Sequence, residues 1–194
     1  ALLSTAMLRD VLAAVSNAAT IDGVAVLTDD DGVAEFVAAA GHQVIRDEAD
    51  DLCASLDLAA AALARRGAAS VLVLPADVPT ITSADIDALL QRHTSGLSIC
   101  PAIRDGGTNA LVCSPPNAVP FCFGAHSAAK HLEAAAKHNV QQARLALPAF
   151  FRDVDLPDDL IWLNEQSTGE HTQAYLQRSG LAARIGPAFL SAAS

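Results

Sequence analysis

Basic residues are scarce in this chain. Only 12 Lys plus Arg stand against 22 Asp plus Glu, a formal charge of −10, and the only lysines are Lys130 and Lys137. A partner built of many phosphates needs a broad basic face to displace its counterions, so nucleic acid is excluded as a partner. Long apolar runs are missing as well. No stretch could span a bilayer, and Ala1 to Met7 shows no charged segment followed by an apolar one, as a leader would. No membrane association is expected, and the protein reads as soluble and cytoplasmic. Cysteine is limited to Cys53, Cys100, Cys113 and Cys122. These include no C-x-x-C pair, so neither a structural zinc site nor a redox motif is indicated. The thiols are expected to act as small buried apolar groups. There is no repeat, low-complexity tract or linker.

What the chain does have is apolar bulk. With 194 residues, 52% of them hydrophobic, and a mean hydropathy of +0.31, it can bury one core and is short for two. Helical and extended patterns alternate along it. Met7, Leu8, Val11, Leu12 and Val15 form one helical stripe, after which Gly23 breaks into the apolar run Val24 to Thr28. A helix over 33–40 ends at Gly41, a strand follows over 42–45, a helix over 52–66 ends at Gly67, and a strand follows over 70–74. Such alternation calls for right-handed crossovers and a three-layer α/β/α fold around a mainly parallel central sheet. Thr82 to Asp85 reads as a capping box opening a helix, with a strand over 97–100 behind it. Extended runs are expected over 109–113 and 119–123, a helix over 127–138, and an apolar stretch over 143–147 that Pro148 stops. Further helices are expected over 156–164 and 169–178, the last capped at Gly180. The layout predicts one nucleotidyltransferase-like domain over 1–164 and a helical tail over 165–194, where Phe189 and Leu190 could dock. A doubly wound nucleotide-binding fold opens with a strand and a phosphate loop. Here a helix begins almost at once, so that first strand and loop are expected to be missing.

Three acidic or small-residue runs fall where buried strands should surface, the position at which open α/β sheets hold ligands. Asp77, in Ala76-Asp77-Val78-Pro79, should emerge at the carboxyl end of a central strand as a Mg²⁺ ligand; alternatively it organises a turn. Asp153 and Asp155 alternate around Val154, so in an extended run both carboxylates lie on one face and can share a cation. The plainer reading, a helix entry with Pro157 at its first position, explains Asp158 and Asp159 but not Asp153 and Asp155. Gly106-Gly107-Thr108-Asn109 forms a tight loop whose N–H groups and hydroxyl could cradle a phosphate or carboxylate, with Arg104 supplying a cation. The Gly124 N–H, the Ser127 hydroxyl and a helix N-terminus could form a second anion pocket, although Ser127 could equally be the helix cap. His126 and His131 lie close by; core-filling histidines are commoner than catalytic ones.

In order and spacing these runs resemble the 2-phospholactate guanylyltransferase family of deazaflavin coenzyme F-420 biosynthesis, itself similar to nucleotidyltransferases of the molybdopterin-guanine type with a nucleotide-diphospho-sugar transferase-like fold. The likeness rests on Met7 to Leu12, Ala76 to Pro79, Arg104 to Leu111, Phe123-Gly124 with Ser127 and His131, and Asp153 to Asp155 with Pro157 and Asp159-Leu160. It implies transfer of GMP from GTP to a small phosphorylated carboxylic acid such as 2-phospholactate, phosphoenolpyruvate or 3-phosphoglycerate. It implies Mg²⁺ on Asp77, Asp153 and Asp155, with Thr108, Gly124 and Ser127 holding the acceptor, and it allows a homodimer. The chain departs from the family at Asp51-Leu52-Cys53, where a Gly-Leu-Asn run is usual, and at Ala102, Ala125-His126 and Leu156. A cytidylyl- or guanylyltransferase acting on a molybdopterin, and a non-catalytic homologue that binds a nucleotide or a protein partner, stand as alternatives.

Overall fold

The computed structural model describes residues 2–47, 51–166 and 169–181. Phe189 and Leu190 lie outside the described residues. The chain opens with helix α1 (Leu2–Ser16), then β1 (Ala25–Thr28), α2 (Asp31–Ala39), β2 (Gln43–Arg46), α3 (Leu52–Arg65), β3 (Val71–Val73), α4 (Ser83–Arg92), β4 (Gly96–Pro101) and β5 (Thr108–Ser114). It continues with α5 (Ser127–Lys137), β6 (Gln142–Arg144), a 3-10 turn (Pro148–Phe150), α6 (Pro157–Glu165) and α7 (Glu170–Ser179). Local chemistry sets several ends. Asp30 and Asp51 accept the N–H groups of Val33 and Ala54 at the starts of α2 and α3, satisfying donors that a first helical turn leaves bare. At α4 the Thr82 and Asp85 side chains each accept the other's backbone N–H, the box that the sequence predicts.

The central sheet runs in the order β3-β5-β4-β6. Its β4–β6 pair is parallel, while β5 runs antiparallel to both neighbours. β3, β4 and β6 therefore share one direction and β5 is reversed. The short link from Pro101 to Thr108 allows only a hairpin, since a parallel crossover needs a dozen or more residues. Period-two alternation on β4 and β5 sends side chains to opposite faces. Cys100, Ala110 and Val112 pack against Val11 and Ala14 of α1, Ile86 and Leu89 of α4, and Phe150. Leu97, Ile99, Leu111 and Cys113 meet Ala60 of α3 and Ala128, Ala134 and Ala135 of α5. Those two cores make the expected helix/sheet/helix layering. No helix among the described residues is long and apolar enough to cross a membrane.

One expectation is corrected. Residues 119–123 join no strand: Pro115, Pro116 and Pro120 interrupt the donors a ladder needs, and the Phe121 and Cys122 N–H groups go to the side chains of Asp57 and His131. The apolar 143–147 run pairs through Arg144, with the Leu145 N–H still donating to the Ile99 carbonyl at 2.8 Å, before Pro148 starts the 3-10 turn as expected. β1 and β2 form a parallel ladder separate from the central sheet. Between β1 and β3 lies an open trough of about 1650 Å³, lined by Val24, Val26, Leu72, Leu74, Val15 and Phe123 among others. The strand residues along it are half-buried, where a strand inside a parallel sheet would be fully covered. At the other end, α7 lies on α1. Asp10 of α1 accepts the His171 and Thr172 N–H groups at 3.0 and 2.7 Å, a tertiary cap for a helix whose own N-cap is Gly169.

Candidate active site

Asp77 sits in the turn that follows β3, and Asp153 and Asp155 sit in the extended stretch that leads into α6. One backbone bond joins these distant segments: the Val154 N–H donates to the Asp77 carbonyl at 2.9 Å. Since Val154 is pinned, the residues on either side of it turn their carboxylates toward a common neighbour, as the alternation predicts. That neighbour is Arg104, whose Nη2 lies 3.4 Å from Asp153 Oδ1 and 3.2 Å from Asp155 Oδ2. Asp77 Oδ1 is buried and has no hydrogen-bond partner among the described residues. Burial, and then the charges of Asp155 and Asp153, push the Asp77 carboxyl from its ordinary 3.8 up to about 6.

Asp159 anchors the cluster. It is 1% exposed and accepts five hydrogen bonds: Arg104 Nη1 at 2.6 Å, Arg152 Nε and Nη2 at 3.1 and 2.9 Å, and the Asp155 and Leu156 N–H groups at 3.0 and 2.8 Å. Burial alone would raise its pKa, but the Arg104 guanidinium, the Leu156 N–H, Arg152 and the Asp155 N–H outweigh it and hold the carboxyl at about 2. Arg152 in turn lies over the Trp162 ring, 4.5 Å from its centroid, a cation–π contact. The sequence points to Asp159 as a favourable charge at a helix start and as part of the closing acidic run of the resemblance, without giving it these partners, and it does not single out Arg152. Pairing across an element boundary is not written in local spacing. Arg104, expected to serve a phosphate, is instead committed to three carboxylates.

The glycine loop is also more self-contained than its sequence suggests. The Gly107 N–H donates to Asp105 Oδ1 at 2.8 Å, the Gly106 carbonyl accepts the Ala128 N–H at 3.1 Å, and the Ser127 N–H goes to the Gly124 carbonyl at 3.0 Å. The expected cradle of free N–H groups is thereby corrected: those at Gly107, Ser127 and Ala128 are spent inside the protein. Asn109 is buried, with its amide donating to the Phe150 carbonyl at 3.1 Å, so it ties β5 to the turn ahead of Arg152 and Asp153. His126, not Ser127, stands at the N-cap of α5, in the left-handed region at φ 57°. The Ser127 hydroxyl lies 2.7 Å from Thr108 Oγ1, so the two loops expected to hold an acceptor do meet. Gly124, at φ 110°, faces open space on its Cβ side. Cys100 and Cys113 are buried, and desolvation pushes both thiols to about 12, as inert core groups.

Taken as a donor set, Asp77, Asp153 and Asp155 offer hard carboxylate oxygens of the kind Mg²⁺ accepts. The orphaned, charge-crowded Asp77 oxygen is the feature a cation would relieve. As they stand, no three acidic, histidine or cysteine side chains among the described residues close around one ion, and the Arg104 guanidinium bridges Asp153 and Asp155.

The chain resembles known proteins over most of its length. It is 36% identical over 184 residues to the phosphoenolpyruvate guanylyltransferase of Roseiflexus sp. (strain RS-1), covering 92% of this chain and 81% of that protein. With the 3-phospho-D-glycerate guanylyltransferase of Phenylobacterium zucineum it shares 34% identity over 183 residues, covering 91% and 83%. Among solved structures it superimposes on a protein of Desulfovibrio desulfuricans G20 assigned as a nucleotide-diphospho-sugar transferase, with TM-score 0.73 and 18% identity, covering 94% of this chain and 84% of the other. It also superimposes on 4-diphosphocytidyl-2C-methyl-D-erythritol synthase, with TM-score 0.64 and 14% identity, covering 82% and 87%. At those identities the structural likeness speaks for the nucleotide-diphospho-sugar transferase-like fold. With residues 2–188 matched by the family described as "Guanylyl transferase CofC like", the chain belongs to that family.

Proposed function

We propose that this protein transfers GMP from GTP to the phosphate of a phosphorylated three-carbon acid, with phosphoenolpyruvate, 3-phosphoglycerate and 2-phospholactate as the acceptors to compare, and that the product serves deazaflavin coenzyme F-420 biosynthesis. An acceptor phosphate oxygen attacks the α-phosphorus of GTP in line, the bond to the β-phosphate breaks, and pyrophosphate leaves. Family membership and the activities for which the relatives are named support this reading. The observation that carries it is the Val154–Asp77 backbone bond, which holds the stretch carrying Asp153 and Asp155 against the turn of Asp77, whose buried Oδ1 has no hydrogen-bond partner among the described residues.

Asp77, Asp153 and Asp155 would hold Mg²⁺, which supplies charge neutralisation to the α-phosphoryl group and the departing pyrophosphate. The protein's own part is positioning. Asp159 and Arg152 fix the stretch carrying Asp153 and Asp155, and Asn109 fixes the turn before it. Thr108, Ser127 and the open side of Gly124 are the acceptor-facing groups. Arg104 balances the acids, keeping like charges together at short range.

The test is pyrophosphate release with each of GTP, ATP and CTP against each acceptor, with and without Mg²⁺. Turnover is expected with GTP and one of the three acids, and its loss in Asp153→Asn. Activity with CTP and a pterin alone would replace the reading with a molybdopterin enzyme. GTP binding without pyrophosphate release from any acceptor would replace it with a non-catalytic homologue.

A further inference from the structure

Behind the acceptor-facing pair lies one imidazole that the reaction does not call for. His131 is fully buried, with the Phe123 ring edge-on at a centroid distance of 5.1 Å. Its Nε2 is 2.8 Å from the Cys122 backbone nitrogen, and its Nδ1 is 3.3 Å from Thr108 Oγ1. A backbone N–H can only donate, so Nε2 must be the bare nitrogen. Burial lowers the His131 pKa to about 4, although a hydrogen bond to the Ser127 backbone opposes it; the ring stays neutral near pH 7, and its single proton therefore rests on Nδ1, where Thr108 Oγ1 and the Ser127 carbonyl are both in position to accept it.

That tautomer decides what the hydroxyl pair can do. Thr108 and Ser127 own two hydroxyl protons between them, and one is consumed in the bond that joins their oxygens. With Nδ1 as a donor, the second proton is left over and can be given to an anion. With Nδ1 as an acceptor, Thr108 would donate to the ring, Ser127 would donate to Thr108, and nothing would remain. We propose that His131 is a positioning residue of the acceptor site, whose fixed tautomer turns the Thr108–Ser127 pair into a net hydrogen-bond donor for an anionic oxygen of the phosphorylated acid. The inference rests on the reading that Thr108 and Ser127 hold the acceptor.

Two isosteric variants separate the ring's contacts, because an asparagine amide reaches the Nδ1 position and a glutamine amide the Nε2 position. His131→Asn keeps a donor for Thr108, whereas His131→Gln keeps only an acceptor for the Cys122 N–H and leaves the Thr108–Ser127 hydroxyls without the donor that orients their spare proton. The KM for the acceptor is expected to be ~10-fold or more higher in His131→Gln than in His131→Asn, while the KM for GTP moves less than about threefold in either. Equal acceptor KM values, or the reverse order, would overturn the inference and reduce His131 to a support for the Cys122 loop. Thr108→Ala and Ser127→Ala guard the underlying reading: if neither raises the acceptor KM, the acceptor site itself is misassigned. Should the His131 variants not fold, the imidazole ¹⁵N spectrum of the wild-type protein decides. A protonated Nδ1 with a bare Nε2 is expected, and the opposite tautomer refutes the proposal.

Discussion

Replacing Asp77 by asparagine should make the protein more stable and, at the same time, inactive. The change is isosteric and leaves the backbone carbonyl that receives Val154 in place. It removes a charge that the folded state holds at a cost, since burial and the facing Asp155 and Asp153 raise this carboxyl from 3.8 to about 6. At about 1.4 kcal/mol for each pH unit, that displacement amounts to roughly 3 kcal/mol, and solvent reaching a half-buried group brings the expectation down to about 1–3 kcal/mol. The sign follows from linkage. A raised carboxyl pKa means the native state binds the proton more tightly than the unfolded chain does, so wild-type stability falls as pH rises from 3.8 through about 6. Urea unfolding of both proteins at pH 7.5 and near pH 4 measures it: Asp77→Asn should lead at the higher pH and lose its lead at the lower. Mg²⁺ should raise the wild-type midpoint and leave the variant unmoved. A variant less stable than wild type at pH 7.5, or a difference that ignores pH, would refute the crowded-carboxylate account.

Asp159 predicts the opposite. Its carboxyl is held at about 2, so its contribution is complete above pH 3.8 and fades as pH falls toward 2; Asp159→Asn should cost about 2 kcal/mol at pH 7, the arginines being partly exposed, as read by urea midpoints. Asp10→Ala removes the acceptor for the His171 and Thr172 N–H groups; a loss of about 1–2 kcal/mol is expected, together with faster protease cleavage within α7. Gly96→Ala should be poorly tolerated, because φ is 70° there and a Cβ would collide with the Gln141 carbonyl, and a fall in expression or thermal midpoint checks it.

The placement of Asp77, Asp153 and Asp155 in loops outside the sheet was legible because each obeys a local rule. Asp77 follows a short apolar strand, and Asp153 and Asp155 flank one residue, so a period of two is enough to align them. The Thr82–Asp85 box was legible for the same reason. The reversed direction of β5 was not, since an apolar run carries no arrow; only the short connection after Pro101 hints at a hairpin. Residues 119–123 look extended by composition, yet the Phe121 N–H is claimed by Asp57, 64 positions away, and the Cys122 N–H by His131 on the following helix, side-chain partners that no strand pattern announces. Arg104 looked like a free cation because its three counter-charges lie some 50 positions away. The Gly107 N–H misled for a different reason: the preceding Asp105 could close a local Asx turn, and in the structure it does.

The trough between β1 and β3 divides the molecule mechanically. Among the described residues neither buried core draws on β1 or β2 and no strand hydrogen bonds bridge the two ladders, so the β1–α2–β2 unit is secured by α3, which packs on β1 and whose Ser55 hydroxyl bonds Asp47, and by tethers such as Arg9 over the Phe36 ring and Ser16 beside His42. Two cooperative units of unequal strength follow. Amide protons over residues 25–46 should exchange through small openings of their own, while those of β4 and β5 wait for the whole protein to unfold; a single shared exchange rate would mean the halves are more firmly welded than their contacts imply.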